Sequence, residues 1–440
     1  MKDEISKRMA VVAPTGVAAI NAGGQTIHSL FQLPFGPILP GQLEKEMKVR
    51  KFRRKKINLL RSLDLLIIDE ISMVRADVLD GIDMVMRRYR DRKLPFGGVQ
   101  LLMIGDLHQL PPVVRDQDWQ QLGQHYQTAY FFGSLALRQT DYLTIQLKHI
   151  YRQSDPVFIQ LLNQVRNNQL GTGVLQTLNS RYQADFKEEE HEGYITLTSH
   201  VASARRINDE RMAQLTTPSV HYDALIDGDF PEHAYPNEKK LELKVGAQVM
   251  FLRNDVSEAK LYYNGKIGFV YELEEEFVHV KCPDMSAPIA VSYEEWSNRR
   301  YELNEDTKEV EEKILGTFNQ IPLKPAWAIT IHKSQGLTFE KVVIDAQAAF
   351  AHGQVYVALS RCKSFEGIVL RTQINHSSVR TDTVVKNYSE TAAQNQPDEA
   401  HLAKAQKEYQ QKLVRRLFNF RQINYRFDQA LKAISDGEKS

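Results

Sequence analysis

Two apolar runs that end abruptly in charged and polar residues constrain this 440-residue chain more than any other feature. The first covers residues 66–68 and is followed by Asp69 and Glu70; the second covers 101–104 and is followed by 105–112. Fully apolar runs of this length are typical of strands buried in a parallel sheet, whose carboxyl ends carry ligand-binding groups. The runs therefore predict an α/β domain with a site at the carboxyl edge of its sheet.

Apolar residues elsewhere alternate between strand-like runs and helical spacing. The predicted elements include the strand Met9–Ala13, the helices Ala76–Tyr89 and Pro156–Arg166, and the strand Tyr194–Thr198. Strands that alternate with helices form parallel sheets. We therefore expect two parallel-sheet α/β domains, the first over residues 1–150 and the second over 151–242 and 325–375.

The stretch between the two parts of the second domain has a different pattern. Residues 243–324 contain short alternating runs separated by turns such as Asn264-Gly265. This pattern predicts a small antiparallel β-barrel inserted into the second domain. Residues 376–440 are polar with one amphipathic segment, which predicts a helical C-terminal extension.

Composition excludes several classes of protein. The formal net charge is only +1, so any nucleic-acid site must be a local patch. The chain has two cysteines, which excludes a disulfide framework and fits a reducing cytoplasm. No apolar stretch is long enough to span a membrane.

The paired carboxylates of Asp69 and Glu70 suit a magnesium-nucleotide, because one can hold the ion and the other can orient an attacking water. The alternative is a strand end whose acids cap the next helix. The nearby segment 105–109 favours the nucleotide hypothesis, since the amide of Gln109 can sense a terminal phosphate. No Gly-x-x-x-x-Gly-Lys-Ser/Thr loop occurs anywhere in the 440 residues.

Two arginines are candidates for neutralising charge on a transferred phosphoryl group. Arg152 lies in Tyr151-Arg152-Gln153 and Arg361 ends Ala358-Leu359-Ser360-Arg361. A guanidinium offered across a domain cleft performs this role in phosphoryl transfer. The alternative is that each is a surface arginine.

Three further segments suggest contacts with nucleic acid. Small and hydroxyl residues at 13–16 and 24–29 allow a phosphodiester to approach the backbone, although an ordinary strand–turn–helix is the alternative. The loop 330–336 offers hydroxyl, imidazole, ammonium and amide groups together. Seven of the nine residues from Lys48 to Lys56 are basic, which fits either a DNA contact or a solvated helix face.

Taken in order, these segments resemble the PIF-type DNA helicases of the RecD-like branch of superfamily one. The resemblance runs from Ala13 to about Thr372. It rests on Ala13-Pro14-Thr15-Gly16 with Thr26-Ile27-His28-Ser29, Ile68-Asp69-Glu70-Ile71-Ser72-Met73, Gly105-Asp106 with Gln109-Leu110-Pro111-Pro112, Tyr151-Arg152-Gln153, His332-Lys333-Ser334-Gln335-Gly336 and Tyr356-Val357-Ala358-Leu359-Ser360-Arg361.

The resemblance implies two RecA-like motor domains that clamp ATP and Mg²⁺, and movement five-prime to three-prime on single-stranded DNA. It implies unwinding of duplex or G-quadruplex DNA in repair, recombination, replication or telomere maintenance. Residues 33–61 would form the wedge that splits the duplex. Asp69 would bind Mg²⁺ and Glu70 would activate water. The residues implied to act on the nucleotide are Asp69, Glu70, Gln109, Arg152, Gln335, Gly336 and Arg361. The residues implied to contact DNA are Pro14, Thr15, Thr26, His28, His108, Thr330, His332 and Lys333.

The family places a strand, a phosphate loop and its helix just before the strand predicted at Met9–Ala13. We therefore expect the sequence to be truncated at its start, with a glycine-rich loop encoded upstream. The expected protein is a cytoplasmic monomer, nucleoid-associated if bacterial, that acts on single-stranded and forked DNA, with replication or repair proteins as further partners. Two alternatives stay open at this point: a non-hydrolysing single-stranded DNA-binding protein on a helicase scaffold, and a poorly folded fragment.

Overall fold

A computed structural model describes most of the chain. The described residues are 7–41, 45, 52–147, 149–187, 191–255, 257–304, 306–345, 353–376, 378–379, 382–418, 420, 423–424 and 427–431. They divide into two compact units, one within residues 1–141 and 149–385 and the other within 142–148 and 386–440. Among the described helices, none combines the length and the hydropathy needed to cross a bilayer.

The first parallel sheet has four strands in the spatial order Gln25–Thr26, Met9–Ala13, Leu65–Ile68 and Gln100–Met103. All five residues of Met9–Ala13 and all four of Leu65–Ile68 are buried, as their apolar sequences predict. The helices of this region are Gly16–Asn21, Ile27–Phe31, Arg54–Ser62, Ala76–Tyr89 and Asp116–Leu122. The predicted strand Met9–Ala13 and helix Ala76–Tyr89 are confirmed at both ends.

One edge of this sheet remains open within the described part of the chain. The strand Gln100–Met103 is last in the order and pairs only with Leu65–Ile68. Leu102 is 38% exposed and Ile104 just beyond the strand is 45% exposed, although both are large apolar residues. The central strands are thus covered while this outer strand presents apolar side chains to solvent.

The second parallel sheet also has four strands, in the order Ala328–Thr330, Tyr194–Thr198, Lys341–Ile344 and Ile368–Leu370. Its core is continuous with the helices packed on it, and Leu197, Val342 and Leu359 are fully buried. Truncating one such residue to alanine costs about 2–5 kcal/mol of stability. The helices that accompany the sheet are Pro156–Arg166, Thr172–Asn179, Val201–Gln214 and Gln354–Ser360. The fold class predicted from sequence, with two parallel-sheet α/β layers, is confirmed.

Between the strands Tyr194–Thr198 and Ala328–Thr330 lies an antiparallel region, here called the insert (residues 219–325). Its main sheet has the strand order Ile289–Val291, Val278–Lys281, Ile267–Leu273, Gln248–Phe251 and Leu323–Pro325. A three-stranded sheet has the order Glu294–Leu303, Val310–Gln320 and Leu225–Gly228, and a ribbon pairs Ser219–Asp223 with Lys240–Lys244. Within the described residues these pairings leave open sheets and do not close the predicted barrel. The reason is that the longest strands pair with each other in a separate hairpin and do not join the two edges of the main sheet.

The second unit contains most of the C-terminal extension. The helix Glu399–Leu417 belongs to it, and the preceding helix is Thr383–Gln394. Within this unit the hydroxyl groups of Thr144 and Tyr388 lie 3.3 Å apart, and the amide N–H of Gln146 donates to Gln396 Oε1 at 3.2 Å. Apolar side chains of the long helix are exposed, as in Leu402 and Leu417.

Candidate nucleotide and nucleic-acid site

Glu70 follows the buried strand Leu65–Ile68 in a left-handed backbone conformation, with φ of 51°. A residue other than glycine in this region carries strain of about 1–3 kcal/mol, and such strain clusters at functional sites. The next residue fixes the turn, because the amide N–H of Ile71 donates to the Ile104 carbonyl at 2.9 Å. The turn at the end of this strand is therefore held by the neighbouring strand.

The side chain of Glu70 joins the two parallel sheets. Gln335 Nε2, in the loop after the strand Ala328–Thr330, donates to Glu70 Oε2 at 2.8 Å. Burial and the adjacent Asp69 carboxylate raise the pKa of Glu70. Glu70 makes no capping hydrogen bond to the short helix that follows it. The alternative in which this acid caps the next helix is therefore wrong.

Asp69 offers a carboxylate at the same edge. Its Oδ1 accepts the Glu70 amide N–H at 3.0 Å, and its own amide N–H donates to the Val12 carbonyl at 2.8 Å. Among the described residues, none donates a hydrogen bond to Oδ2 of Asp69. A carboxyl oxygen without a protein donor, beside a second carboxyl group, fits a Mg²⁺ ligand.

Arg361 is buried beside Gln109 and is 1% exposed. Its Nη2 donates to Ser360 Oγ at 3.1 Å and approaches Gln109 Oε1 at 3.5 Å, and its Nε donates to the Val357 carbonyl at 3.1 Å. Burial, and then repulsion from Arg152, lowers the pKa of Arg361 to about 10, so it is still charged at neutral pH. The alternative that Arg361 is a surface arginine is wrong, because the helix Gln354–Ser360 places it in the core.

Gln109 and Arg152 complete this polar group. Gln109 Nε2 donates to Asp106 Oδ2 at 3.1 Å, which fixes its amide oxygen toward Arg361. Arg152 is exposed, as its surface alternative predicts, and its Nη1 donates to the Ser360 carbonyl at 3.3 Å. The structure thus brings together Glu70, Gln109, Arg152, Gln335 and Arg361, all predicted from sequence.

Sequence reasoning missed two residues that shape this group. Gln153 is 5% exposed, and its Nε2 donates to the carbonyls of Ser360 and Cys362 at 3.0 Å each. Gly353 has φ of 78°, and a Cβ on it would lie 2.2 Å from the Gln109 carbonyl oxygen. In the sequence, Gly353 is recognisable only as a glycine before an apolar segment. Its close approach to Gln109 could not be predicted, because it depends on the packing of distant segments.

The residues predicted to contact DNA from the first sheet follow the strands Met9–Ala13 and Gln25–Thr26, beside the strand that leads to Asp69. The Thr15 hydroxyl accepts the Ala18 amide N–H and the Thr26 hydroxyl accepts the Ser29 amide N–H, both at 3.2 Å, so each caps a short helix. His28 stacks on Phe35 with ring centroids 5.0 Å apart and an interplanar angle of 12°. Burial, and then Arg75, lowers the pKa of His28. Phe35 is 87% exposed and was not singled out from the sequence.

The second sheet supplies a separate group. His332 and Lys333 are exposed, whereas Thr330 is 4% exposed and its hydroxyl accepts the Lys333 amide N–H at 3.2 Å. Thr330 therefore supports the turn from inside. Partial desolvation lowers the pKa of His332. The remaining predicted residues are the half-buried Pro14 and His108 and the exposed Gly336.

The basic run from Lys48 to Lys56 is described only in part. Lys48, Val49, Arg50 and Lys51 lie outside the described residues. Arg53, Arg54 and Lys55 are exposed at the start of the helix Arg54–Ser62. These three residues therefore form a solvent-facing basic surface.

The carboxyl edges of the two parallel sheets meet through Glu70 and Gln335, and the buried Arg361 of the second sheet region reaches Gln109 of the first. This arrangement defines a two-domain nucleotide-dependent motor of the superfamily-one helicase class. The profile described as PIF1-like helicase matches residues 2–172, and that of the UvrD-like helicase C-terminal domain matches residues 325–364. The chain belongs to the PIF1-like helicase family.

One related protein and two solved structures show how similar the chain is to known helicases. The ATP-dependent DNA helicase Pif1 of Bdellovibrio bacteriovorus is 30% identical over 377 residues, covering 84% of this chain and 79% of that protein. Pif1 from Bacteroides sp. in complex with ADP-AlF4 is 40% identical with a TM-score of 0.83, covering 89% of each chain. The Bacteroides complex with ADP-AlF3 and single-stranded DNA is also 40% identical and covers 89% of each chain, but its TM-score is 0.61.

Proposed function

We propose that the chain is an ATP-dependent DNA helicase that uses the carboxylates after one sheet and the amide and guanidinium groups after the other to couple ATP hydrolysis to movement on DNA. The observation that supports the proposal most is the 2.8 Å hydrogen bond from Gln335 to Glu70, because it joins polar groups that follow the two parallel sheets. Relatives named ATP-dependent DNA helicases support this proposal over the non-hydrolysing alternative.

Each residue of the polar group has a chemical role in this proposal. Glu70 orients the attacking water and accepts its proton, which a carboxyl with a raised pKa does efficiently. Gln335 holds the Glu70 carboxylate in place. Asp69 would hold Mg²⁺ that accompanies ATP, and ATP supplies the phosphoryl group for transfer.

The arginines act on negative charge. Arg361 is pre-positioned by hydrogen bonds to Val357 and Ser360, so it needs little rearrangement to face a phosphate. Gln109 links it to Asp106, and Arg152 adds a second positive charge. Gly336 would let the backbone of its loop approach the nucleotide. Residues 1–440 contain no Gly-x-x-x-x-Gly-Lys-Ser/Thr loop.

On the DNA side, we propose that Pro14, Thr15, Thr26 and His28 face one part of a single strand and that His108, His332 and Lys333 face another, with Thr330 shaping the second loop from within. Exposed basic and aromatic groups suit a strand's phosphates and bases. Movement five-prime to three-prime, a wedge at residues 33–61, forked and G-quadruplex substrates, a monomeric state and a cytoplasmic location stay predictions.

The test is ATP hydrolysis by the protein with and without single-stranded DNA, beside Glu70→Gln and the matched control Glu309→Gln, which changes an exposed residue of the insert. We expect DNA-stimulated turnover in the wild type and the control. In Glu70→Gln we expect turnover to fall by about 10²–10⁴-fold while DNA binding persists. Wild-type DNA binding without any hydrolysis would contradict the proposal and favour a non-hydrolysing binder.

A further inference from the structure

A long hairpin of the insert reaches back to the first parallel sheet. It consists of Glu294–Leu303 and Val310–Gln320, the two longest strands of the described chain. Although the insert is connected in sequence to the second sheet, this hairpin packs against the helix Arg54–Ser62 of the first. The hairpin therefore bridges the region of the first sheet and that of the second.

Tyr301 makes the most specific contact of this bridge. It is 4% exposed, and its hydroxyl accepts the Val11 amide N–H at 3.2 Å and donates to the Gly23 carbonyl at 3.3 Å. Val11 lies where the short strand Gln25–Thr26 no longer pairs with Met9–Ala13, because that pairing involves only Val12 and Ala13. The tyrosine hydroxyl thus takes the place of a strand neighbour.

The contact between Tyr301 and Gly23 lies next to residues proposed to face DNA. Gly23 and Gly24 form the turn that leads directly into Thr26 and His28, two residues proposed to face DNA. A Cβ on Gly24 would lie 2.3 Å from the Val11 carbonyl oxygen, so the turn is pressed against the strand that Tyr301 also contacts. One hydroxyl from the insert therefore fixes both sides of the DNA-facing turn.

Two further contacts between the insert and the first sheet region have opposite effects on the stability of this bridge. Ile20 packs against the aromatic cluster of Phe230, Trp296 and Phe318 in the insert. In contrast, Lys56 on the helix Arg54–Ser62 lies near Arg300 of the hairpin, and burial followed by this repulsion lowers the pKa of Lys56 to about 8. A contact that combines apolar packing with a like-charge pair is suited to opening at modest cost.

We propose that Tyr301 is a latch that holds the insert on the first motor domain and restrains its DNA-facing turn until single-stranded DNA binds. This proposal rests on the proposed function for its DNA readout. The chain superposes better on the ADP-AlF4 complex than on the complex with ADP-AlF3 and single-stranded DNA, at equal coverage and identity. The two related structures therefore differ from each other. The structure of this chain, in which Tyr301 contacts Val11, is closer to the ADP-AlF4 complex.

The test compares Tyr301→Phe with the matched control Tyr222→Phe. Tyr222 is 2% exposed, and its hydroxyl donates to the Glu274 carbonyl inside the insert at 2.7 Å. Both variants lose one buried hydroxyl, but only the first loses a bridge to the other domain. The measurements are the affinity for single-stranded DNA and the separation of fluorescent labels on Asn21→Cys and Thr307→Cys, both exposed positions. The native cysteines Cys282 and Cys362 are buried.

We expect Tyr301→Phe to bind single-stranded DNA roughly two- to tenfold more tightly than the wild type, because the free-energy cost of opening falls by the small net contribution of two long hydrogen bonds. We also expect its labels to lie further apart without DNA, with Tyr222→Phe unchanged in both measurements. Equal or weaker DNA binding by Tyr301→Phe would overturn the latch.

The label measurement separates this proposal from the proposed function. If the wild type bound no single-stranded DNA, the helicase proposal would fail while the latch would still be tested by label separation. Identical separations in Tyr301→Phe, Tyr222→Phe and the wild type would then show that the hydroxyl does not hold the insert in place.

Discussion

Gly353 lies against Gln109 so closely that a side-chain carbon at Gly353 would come within 2.2 Å of the Gln109 carbonyl oxygen and 2.6 Å of the His108 carbonyl oxygen. Gly353 immediately precedes the helix Gln354–Ser360, which Arg361 follows, and Gln109 follows the last strand of the first sheet. The approach of the arginine to the amide of Gln109 therefore depends on the absence of a side chain at residue 353.

We predict that Gly353→Ala slows ATP hydrolysis by at least tenfold, because the loop must retreat and take Arg361 away from Gln109. It should also cost about 1–3 kcal/mol of stability through backbone strain at positive φ. Turnover and thermal unfolding measure the two effects. The control is Gly41→Ala, which has the same φ of 78° with nothing within 4 Å of the added carbon. Equal loss of hydrolysis in both variants would show that the close approach is unimportant.

The raised pKa of Glu70 predicts how hydrolysis depends on pH. Burial and Asp69 favour the neutral acid, whereas the hydrogen bond from Gln335 favours the carboxylate. Since the ionised form accepts the proton from water, turnover should be full above the folded-state pKa and fall as pH drops through it. Gln335→Leu removes the donor, so its acid limb should move to higher pH. A turnover-against-pH profile tests this, and an unmoved limb would argue against Glu70 as the titrating group.

Phe35 should contribute to binding of single-stranded DNA. Its ring is 87% exposed yet aligned on His28, so a base can stack on its open face. Stacking of one base is worth about 1–3 kcal/mol, so Phe35→Ala should weaken binding by roughly 5- to 100-fold, and Phe35→Trp should retain it. Fluorescence anisotropy with labelled single-stranded DNA measures the change. Tyr271→Ala, which removes a 59% exposed ring from the insert, is the control.

The exposed basic residues at the start of the helix Arg54–Ser62 should serve unwinding more than translocation. Replacing Arg53, Arg54 and Lys55 by serine should slow unwinding of forked DNA several-fold and leave DNA-stimulated hydrolysis within about twofold, because fewer phosphates of the duplex are contacted. Lys56 is left intact, since it faces the hairpin. The control removes equal charge from the insert at Lys239, Lys240 and Lys281. Parallel loss of unwinding and hydrolysis would contradict a wedge role.

Elements with strong local signals could be predicted from sequence. The helix Pro156–Arg166 begins at a proline after Asp155, whose carboxylate accepts the Val157 amide N–H at 2.9 Å, and its apolar period is regular. The strand Tyr194–Thr198 is bounded by polar residues and is likewise found as predicted. In such segments local propensity and tertiary burial agree, so the sequence pattern is sufficient.

Features that depend on distant contacts could not be predicted. The left-handed turn at Glu70 is stabilised by the neighbouring strand through Ile104, and nothing in Asp69-Glu70 itself indicates φ of 51°. The hydrogen bond from the Val11 amide N–H to the Tyr301 hydroxyl joins residues 290 positions apart. Barrel closure was predicted wrongly because alternating runs specify strands but not which edges pair. Candidate site residues could be named from short local motifs. The contacts that bring them together could not be predicted, because they join segments far apart in sequence.

The open edge of Gln100–Met103 has a consequence for handling the protein. Within the described residues, this outer strand offers a sheet edge and the partly exposed side chains of Leu102 and Ile104 to any similar strand, and such edges are where folded chains begin to aggregate. Preparations should therefore be sensitive to concentration and to warming before the core melts. The substitution Leu102→Lys should delay the onset of light scattering on warming without changing the midpoint of thermal unfolding.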